Sequence, residues 1–375
     1  MRFRHIIIGA AALALCAGIR LKAAPIQTAA SRGPSAPPRS GEEVFRAACM
    51  TCHAPNGRGN PRSHVGFDKP LPDFSDCSAT TPEVEHDWFA VVYNGGPIRA
   101  FDRHMPSFGG ALSEQEIWNV VRYLRTFCRD ASWPPGELNL PRSFLTEKAF
   151  PENEAVVTTS ISRIGGTAAS TEIAYEHRLG SRAQYELAVP IEMQHPDGSG
   201  WARGLGDVAF AVKGVVFHDS STILSVGMET AFPTGSDTQG LGSGTTTFEP
   251  FAAYGRVLPS NAFVQAQGGV GLPASLATET REAFWRAVIG RTFYQHRFGR
   301  QFTPMLEVQG TKPLVSNEAI EWDLVPQAQV SLSTLQHVRL GMGVQLPVNE
   351  RDQRGRVFHL YLLWDWFDGP LFSGW

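Results

Sequence analysis

The chain from about residue 155 to its end alternates apolar and polar residues with a period of two. One segment places apolar side chains at every second position: Tyr185, Leu187, Val189, Ile191 and Met193. Because successive side chains of a strand point to opposite faces, this pattern predicts a strand with one apolar face. We count about twelve such segments of about ten residues, the length that a tilted strand needs to cross a membrane. Their approximate starts are Ala155, Ser170, Arg182, Asp207, Ser221, Thr247, Asn261, Glu282, Arg300, Leu324, His337 and Arg356.

The connections between these segments alternate in length. Every second connection is short: Gly180-Ser181, His218-Asp219-Ser220, Pro259-Ser260, Phe298-Gly299 and Leu335-Gln336. Most of the others are long and polar, which together with the tight turns is typical of outer-membrane barrels. We therefore predict an all-β antiparallel domain over residues 155–375, forming a barrel of about twelve strands. A soluble β-sandwich, which also alternates, is the alternative.

Residues 40–130 follow a helical pattern instead. Two capping boxes, Ser40 with Glu43 and Ser113 with Glu116, mark helix starts. The helix after Ser113 has one apolar face, formed by Ile117, Val120, Val121, Leu124 and Cys128. These signals predict an all-α domain.

Between those two helices we predict a third. It should begin at Thr81-Pro82, because proline is favoured at the first helical position, and end at Asn94-Gly95-Gly96, a glycine stop. After the all-α domain, residues 131–154 are punctuated by proline and read as a linker to the strands.

The N-terminus predicts export. Basic residues precede an apolar run from Ile6 to Ile19, and small residues follow at Ala23 and Ala24. This is the pattern of a secretory signal peptide, which we place at residues 1–24. Residues 25–39, rich in Pro, Ser and Ala, are predicted to be a disordered leader.

Composition excludes one class of partner. The 375-residue chain has a formal net charge of −3 and a pI near 6.4. A balance this close to neutral offers no electrostatic basis for binding nucleic acid.

The chemistry lies in Cys49-Met50-Thr51-Cys52-His53. The pattern C-x-x-C-H is the attachment signal for c-type haem. Two thiols three residues apart share one face of a helical turn and can both form thioethers, and the histidine that follows is held as an axial iron ligand. A zinc site would need a second ligand pair, and the sequence has no other C-x-x-C. We predict one covalent haem c on Cys49 and Cys52, with His53 on the iron.

A second axial ligand is predicted at Met105. It precedes Pro106 in a glycine-rich loop just before the last helix of the all-α domain, the place where a distal thioether belongs. His and Met ligation raises the potential of the iron. His104 is the competitor for this role.

Two cysteines remain in the exported all-α domain, Cys77 and Cys128. In an oxidising compartment a pair of leftover thiols suggests a disulfide. Two buried free thiols are the alternative.

The all-α domain resembles the small class I cytochromes c. The resemblance rests on Gly41-Glu42-x-x-Phe45, the C-x-x-C-H block, Met105-Pro106-x-Phe108-Gly109 and the helix from Ser113 to Leu124. It implies that the first and last helices cross, with Gly41 against Tyr123 or Trp118. It also implies a carbonyl from Pro70-Leu71 or Leu71-Pro72 on the proximal His53. One departure is Ala54, where the family commonly has glycine.

The whole layout resembles fused cytochrome–porins. The block Gly204-Leu205-Gly206-Asp207-Val208 with Lys213 also resembles outer-membrane transporters associated with aromatic degradation pathways. These resemblances imply a haem electron carrier at the periplasmic face of the outer membrane, in contact with its lipid and with periplasmic redox proteins, and not an enzyme. A transporter with an accessory haem domain and a soluble periplasmic carrier are the alternatives. Oxidation of extracellular iron, known in some fused cytochrome–porins, is not expected, because those proteins have a smaller haem segment and more strands.

Overall fold

A computed structural model describes residues 37–66, 71–163, 165–198, 200–295, 301–351 and 353–366. From Pro38 onward the chain forms one compact unit. The predicted signal peptide, the leader before residue 37, the turn Phe298-Gly299 and the predicted Pro70 carbonyl lie outside the described residues.

The N-terminal part of this unit is helical. It consists of α1 (Gly41–Val44), a π-helical turn (Phe45–Cys49), α2 (Met50–His53), α3 (Arg62–Val65), α4 (Cys77–Thr80), α5 (Glu85–Asn94) and α6 (Glu114–Arg125). Both predicted capping boxes are present, at Ser40 for α1 and at Ser113 for α6. Ile117, Val120, Val121 and Leu124 are buried along one face of α6, as predicted.

The middle helix starts later than predicted, at Glu85 instead of Thr81. The cause is tertiary. The guanidinium of Arg125 donates hydrogen bonds to the carbonyls of Thr80 and Glu83, which holds this stretch as a loop. The predicted end is correct, because Gly95 follows the helix with a φ of 88°, a value that favours glycine.

The C-terminal part is a closed antiparallel barrel. Its strands are β1 (Glu154–Arg163), β2 (Gly166–Leu179), β3 (Ala183–Pro196), β4 (Ala202–Leu205), β5 (Val208–His218), β6 (Thr222–Phe232), β7 (Thr247–Leu258), β8 (Ala262–Pro273), β9 (Glu282–Arg291), β10 (Phe293–Tyr294), β11 (Gln301–Pro313), β12 (Glu321–Ser331), β13 (Val338–Pro347) and β14 (Val357–Asp365). Neighbours in sequence pair, β14 pairs with β1, and β9 pairs with β11, which closes a twelve-stranded wall. The short β4 and β10 add to β3 and β11.

The predicted strand starts agree closely with these bounds, with two larger differences. β2 begins at Gly166 instead of Ser170, where small residues carry no apolar alternation. β12 begins at Glu321 instead of Leu324. Its first charged residues read as loop, but Glu321 and Asp323 pair with Arg354.

Along each strand, apolar side chains face the outside of the barrel and mostly polar side chains face its interior. The predicted apolar positions Leu187, Ile191 and Val226 are more than 40 % exposed on the outside. Polar side chains such as Gln184 and Lys213 are buried inside. An apolar outside and a polar inside is the arrangement of a barrel that sits in lipid, and it excludes the sandwich, whose core lies between two sheets. None of the helices described is both long and apolar enough to span a membrane.

The second half of the predicted linker lies inside the barrel. We call residues 139–152 the plug segment. Its backbone accepts hydrogen bonds from wall side chains: Gln265 donates to the Pro141 carbonyl at 2.8 Å and Tyr361 to the Arg142 carbonyl at 2.9 Å. Charged groups also meet there, with Arg142 on Glu154 and Glu176 and with Lys213 on Glu147. Nothing in the prolines of this stretch predicted that it would be enclosed by the strands.

Candidate haem site

The two haem-motif thiols lie where the π-helical turn Phe45–Cys49 is followed by α2. Cys49 ends the π-helical turn and Cys52 lies in α2, so the motif occupies one continuous helical surface. Both thiols are free and half-buried, and Cys49 packs against the core of the helical domain. Burial, with a smaller contribution from Cys52, raises the pKa of Cys49 to about 11.

His53 is the buried end of this motif. Its ring lies 5.0 Å from the ring of Phe74, centroid to centroid. Burial lowers the pKa of His53 to about 4, so the imidazole is neutral at neutral pH, the form that binds a metal. Among the described residues Nδ1 has no hydrogen-bond partner, so the predicted carbonyl from residues 71 and 72 is not seen there.

The backbone turns sharply directly after His53. Ala54 has a φ of 58° and a ψ of 159°, a region that normally favours glycine. The departure from the family pattern at this position is therefore accommodated with strain, and the ring of His53 keeps its buried position.

Met105 faces the same core as the haem motif, and His104 does not. Met105 is half-buried and packs, like Cys49, against the helical core. Its loop is held by Gly96, whose N–H donates to the Met105 carbonyl at 3.0 Å. The His104 side chain is 54 % exposed and lies 2.7 Å from the carboxylate of Asp102.

The surroundings of these residues suit a haem. The core that Cys49 and Met105 contact is aromatic and aliphatic, including Phe45, Phe74 and Phe89. Two free thiols, a neutral imidazole with an unpartnered buried nitrogen and a thioether are the donor set of a c-type haem. Cys49 and Cys52 would hold the porphyrin, and His53 and Met105 the iron.

Two further contacts stabilise the helical frame. Cys77, the first residue of α4, forms a disulfide with Cys128, just after α6. The second contact joins α1 and α6, where a Cβ added to Gly41 would lie 2.6 Å from the Cβ of Tyr123. The first and last helices therefore cross closely at Gly41, the contact implied by the family resemblance, and the residue opposite is Tyr123.

The helical domain rests on the end of the barrel that carries the short turns. The His86 ring of α5 stacks on the Tyr294 ring of β10, 3.6 Å between centroids and 3° from parallel. Nε2 of His337, on the barrel, lies 3.6 Å from the Glu83 carboxylate. Burial lowers the pKa of His86 to about 4, so its ring stacks uncharged. Short turns are periplasmic in outer-membrane barrels, and this places the helical domain in the periplasm.

The block from Gly204 to Lys213 also has a structural role. The Asp207 carboxylate accepts hydrogen bonds from the backbone of Gly235, at 2.9 Å, and of Ser243, at 2.7 Å, which orders the long loop after β6. Lys213 reaches inward to Glu147 and to the Lys148 carbonyl of the plug segment. An inward-facing charge on a strand, such as Lys213, is a sequence signal that a charged partner lies in the lumen.

Fold and site together define a c-type cytochrome domain fused to an outer-membrane β-barrel. Residues 36–124 match the family described as cytochrome c oxidase, cbb3-type, subunit III, and this family implies covalently bound haem c. The match covers the helical domain and not the barrel. A comparison with curated proteins found no match.

The strands are similar to those of solved barrels. An outer membrane channel from Pseudomonas putida F1 is 13% identical with a TM-score of 0.44, over 60% of this chain and 100% of that one. The KdgM porin is 8% identical (TM-score 0.39; 57% and 99% covered), and the NanC porin is 10% identical (TM-score 0.40; 56% and 100% covered).

Proposed function

We propose that this protein is a one-electron carrier of the periplasm, fixed to the outer membrane by its barrel. The observation that carries the proposal is the pairing of the C-x-x-C-H helix with Met105 on one buried core. His53 and Met105 would hold the iron from both sides and leave no coordination position open to a substrate, so that the bound haem would exchange electrons only.

The barrel supports this assignment as an anchor. Its lumen holds the plug segment, which is hydrogen-bonded to the wall. The helical domain lies on the periplasmic side, and its partners are therefore periplasmic redox proteins. The transporter alternative needs the plug segment to move.

Ligand binding to the reduced protein tests the proposal. A six-coordinate carrier should be reduced and reoxidised by periplasmic c-type cytochromes, while carbon monoxide binds to it slowly or not at all. Met105→Ala should open the position and bind carbon monoxide rapidly. Rapid binding by the unaltered protein would show an open iron site and favour an enzyme instead.

A further inference from the structure

The plug segment is held on several sides by the barrel wall. The Glu307 carboxylate of β11 accepts a hydrogen bond from the Thr146 N–H at 2.6 Å, and Arg286 of β9 donates to the Leu145 carbonyl at 2.6 Å. From the other side, Gln184 of β3 accepts from the Glu152 N–H at 2.6 Å. These contacts fix the plug segment across the lumen.

We propose that the plug segment holds the barrel shut, and that the lumen conducts small cations when the plug segment is released. The proposal concerns the barrel and does not depend on the redox role of the haem. Three features support it: the polar contacts of the plug segment, the carboxyl groups on the inner face of the wall, and the connection of the plug segment to the helical domain.

Two kinds of contact hold the plug segment. Leu140 and Phe150 pack against buried apolar side chains of the wall. The remaining contacts are hydrogen bonds and ion pairs between wall side chains and plug groups, such as Lys213 with Glu147, and water can replace these. Because both partners of such a polar contact become hydrated when it opens, water offsets much of its loss. A cavity of about 200 Å³ between plug and wall, lined by Arg142, Glu186 and Glu229, already provides room for water.

The wall beside and beyond the plug segment is acidic. Its inward-facing carboxylates are Glu172, Glu186, Glu192, Glu229, Glu249 and Glu282. Glu229 and Glu249 are direct partners on β6 and β7, where like charges repel each other.

Inward-facing cations do not balance this charge. Lys213 and Arg286 bind the plug segment, and Arg354 pairs with Glu321 and Asp323. Further towards the outer loops, the inward positions of the described strands hold no other Lys or Arg. Once water enters the lumen and these carboxyl groups are ionised, the lumen concentrates cations and repels anions.

Gly136 and Glu137, which precede the plug segment, contact the helical domain. The Glu137 carboxylate accepts a hydrogen bond from the Glu85 N–H at 2.9 Å. A Cβ at Gly136 would lie 2.9 Å from the carbonyl carbon of Glu83, so the backbones touch. A displacement of the helical domain from the barrel is therefore transmitted directly to the plug segment.

Single-channel recording on the full-length haem protein tests the proposal. In planar bilayers bathed in KCl, the unaltered protein should be closed. Lys213→Gln removes two contacts of the plug segment, and Arg142→Gln removes its ion pairs with Glu154 and Glu176. Each variant should show discrete openings, and under a KCl gradient the reversal potential should have the sign of K⁺ permeation. Lys312→Gln, which alters a lysine bonded to the Glu318 carbonyl in an outer loop, is the matched control and should stay closed.

A second change separates the two parts of the proposal. Adding Glu229→Gln and Glu249→Gln to Lys213→Gln should lower the K⁺ to Cl⁻ permeability ratio several-fold and leave the openings. Assembly is checked by haem content and by faster gel migration before boiling. If Lys213→Gln fails to assemble, Glu147→Gln breaks the same pair from the plug side. An open unaltered protein, plug variants that assemble and stay closed, or a Cl⁻ preference would each overturn the proposal.

Discussion

His104 and Met105 are sequence neighbours with opposite surroundings. The exposed His104 ring pairs with Asp102, while the Met105 side chain turns to the core that also holds Cys49. A local pattern in a loop cannot distinguish two adjacent candidate ligands. Packing does, because only one of two neighbouring side chains reaches the buried side.

This contrast leads to a prediction about the reduction potential. Met105→Ala should lower the potential of the haem, because a thioether ligand stabilises reduced iron. His104→Ala should leave the potential unchanged. Potentiometric titration followed by absorbance measures both. A shift in His104→Ala with none in Met105→Ala would reassign the ligand to His104.

At the scale of elements, α6 begins with a capping box, and Arg39, which lies outside the helix, adds a further hydrogen bond to its Glu116. Ser113 N–H donates to the Glu116 carboxylate at 2.9 Å, and Arg39 Nε donates to its other oxygen at 2.7 Å. The hydrogen bond from Arg39, followed by those from Ser113, lowers the pKa of Glu116 from 4.5 to about 2. Since the folded pKa is the lower one, the ionised carboxylate stabilises the helical domain above pH 4.5, and this contribution is lost as the pH falls towards 2.

Ser113→Ala should therefore lower the free energy of unfolding of the helical domain by about 1 kcal/mol at neutral pH. Glu116→Gln should remove the part of the acid destabilisation that lies between those two pKa values. Thermal unfolding followed by haem absorbance across this pH range measures both. Glu42→Gln, which alters an exposed carboxylate on α1, is the control, and an equal effect there would refute a specific role of the cap.

The Cys77–Cys128 disulfide links α4 to the end of α6 across 51 residues of sequence. Replacing both cysteines by serine should lower the free energy of unfolding by about 2–4 kcal/mol, because the unfolded chain gains freedom. The haem, attached at Cys49 and Cys52, should remain bound. Non-reduced peptide mass spectrometry tests the bond itself, and two separately alkylatable thiols in native protein would contradict it.

At the scale of the whole molecule, the outer surface of the barrel must match lipid. Leu360, near the middle of β14, is 48 % exposed on this surface. Leu360→Arg should destabilise the barrel by about 2–4 kcal/mol or prevent its assembly, whereas Leu360→Met should be nearly neutral. Denaturant unfolding in lipid vesicles measures the difference. Fractionation accompanies it, because recovery of the unaltered protein in the soluble periplasmic fraction would contradict a lipid-facing wall.

Much of this architecture could be predicted from local pattern. Period-two alternation located the strands, and the C-x-x-C-H motif with two capping boxes located the haem helices, because these signals depend on residues a few positions apart. Two of the boundary errors occurred where a residue distant in the sequence sets the end of the element. Glu321 and Asp323 belong to β12 because Arg354 neutralises them, and α5 starts late because Arg125 binds the carbonyls before it.

The sequence by itself determined a haem-binding helical domain and a barrel wall, since the spacing of the haem motif and the periodicity of side chains can be read along the chain. Only the tertiary structure decided that residues 139–152 lie inside the wall and that His86 stacks on Tyr294. Several plug contacts join residues more than a hundred positions apart, as Thr146 and Glu307 show. No short pattern encodes such a pairing, because it exists only once the strands have closed around the segment that precedes them.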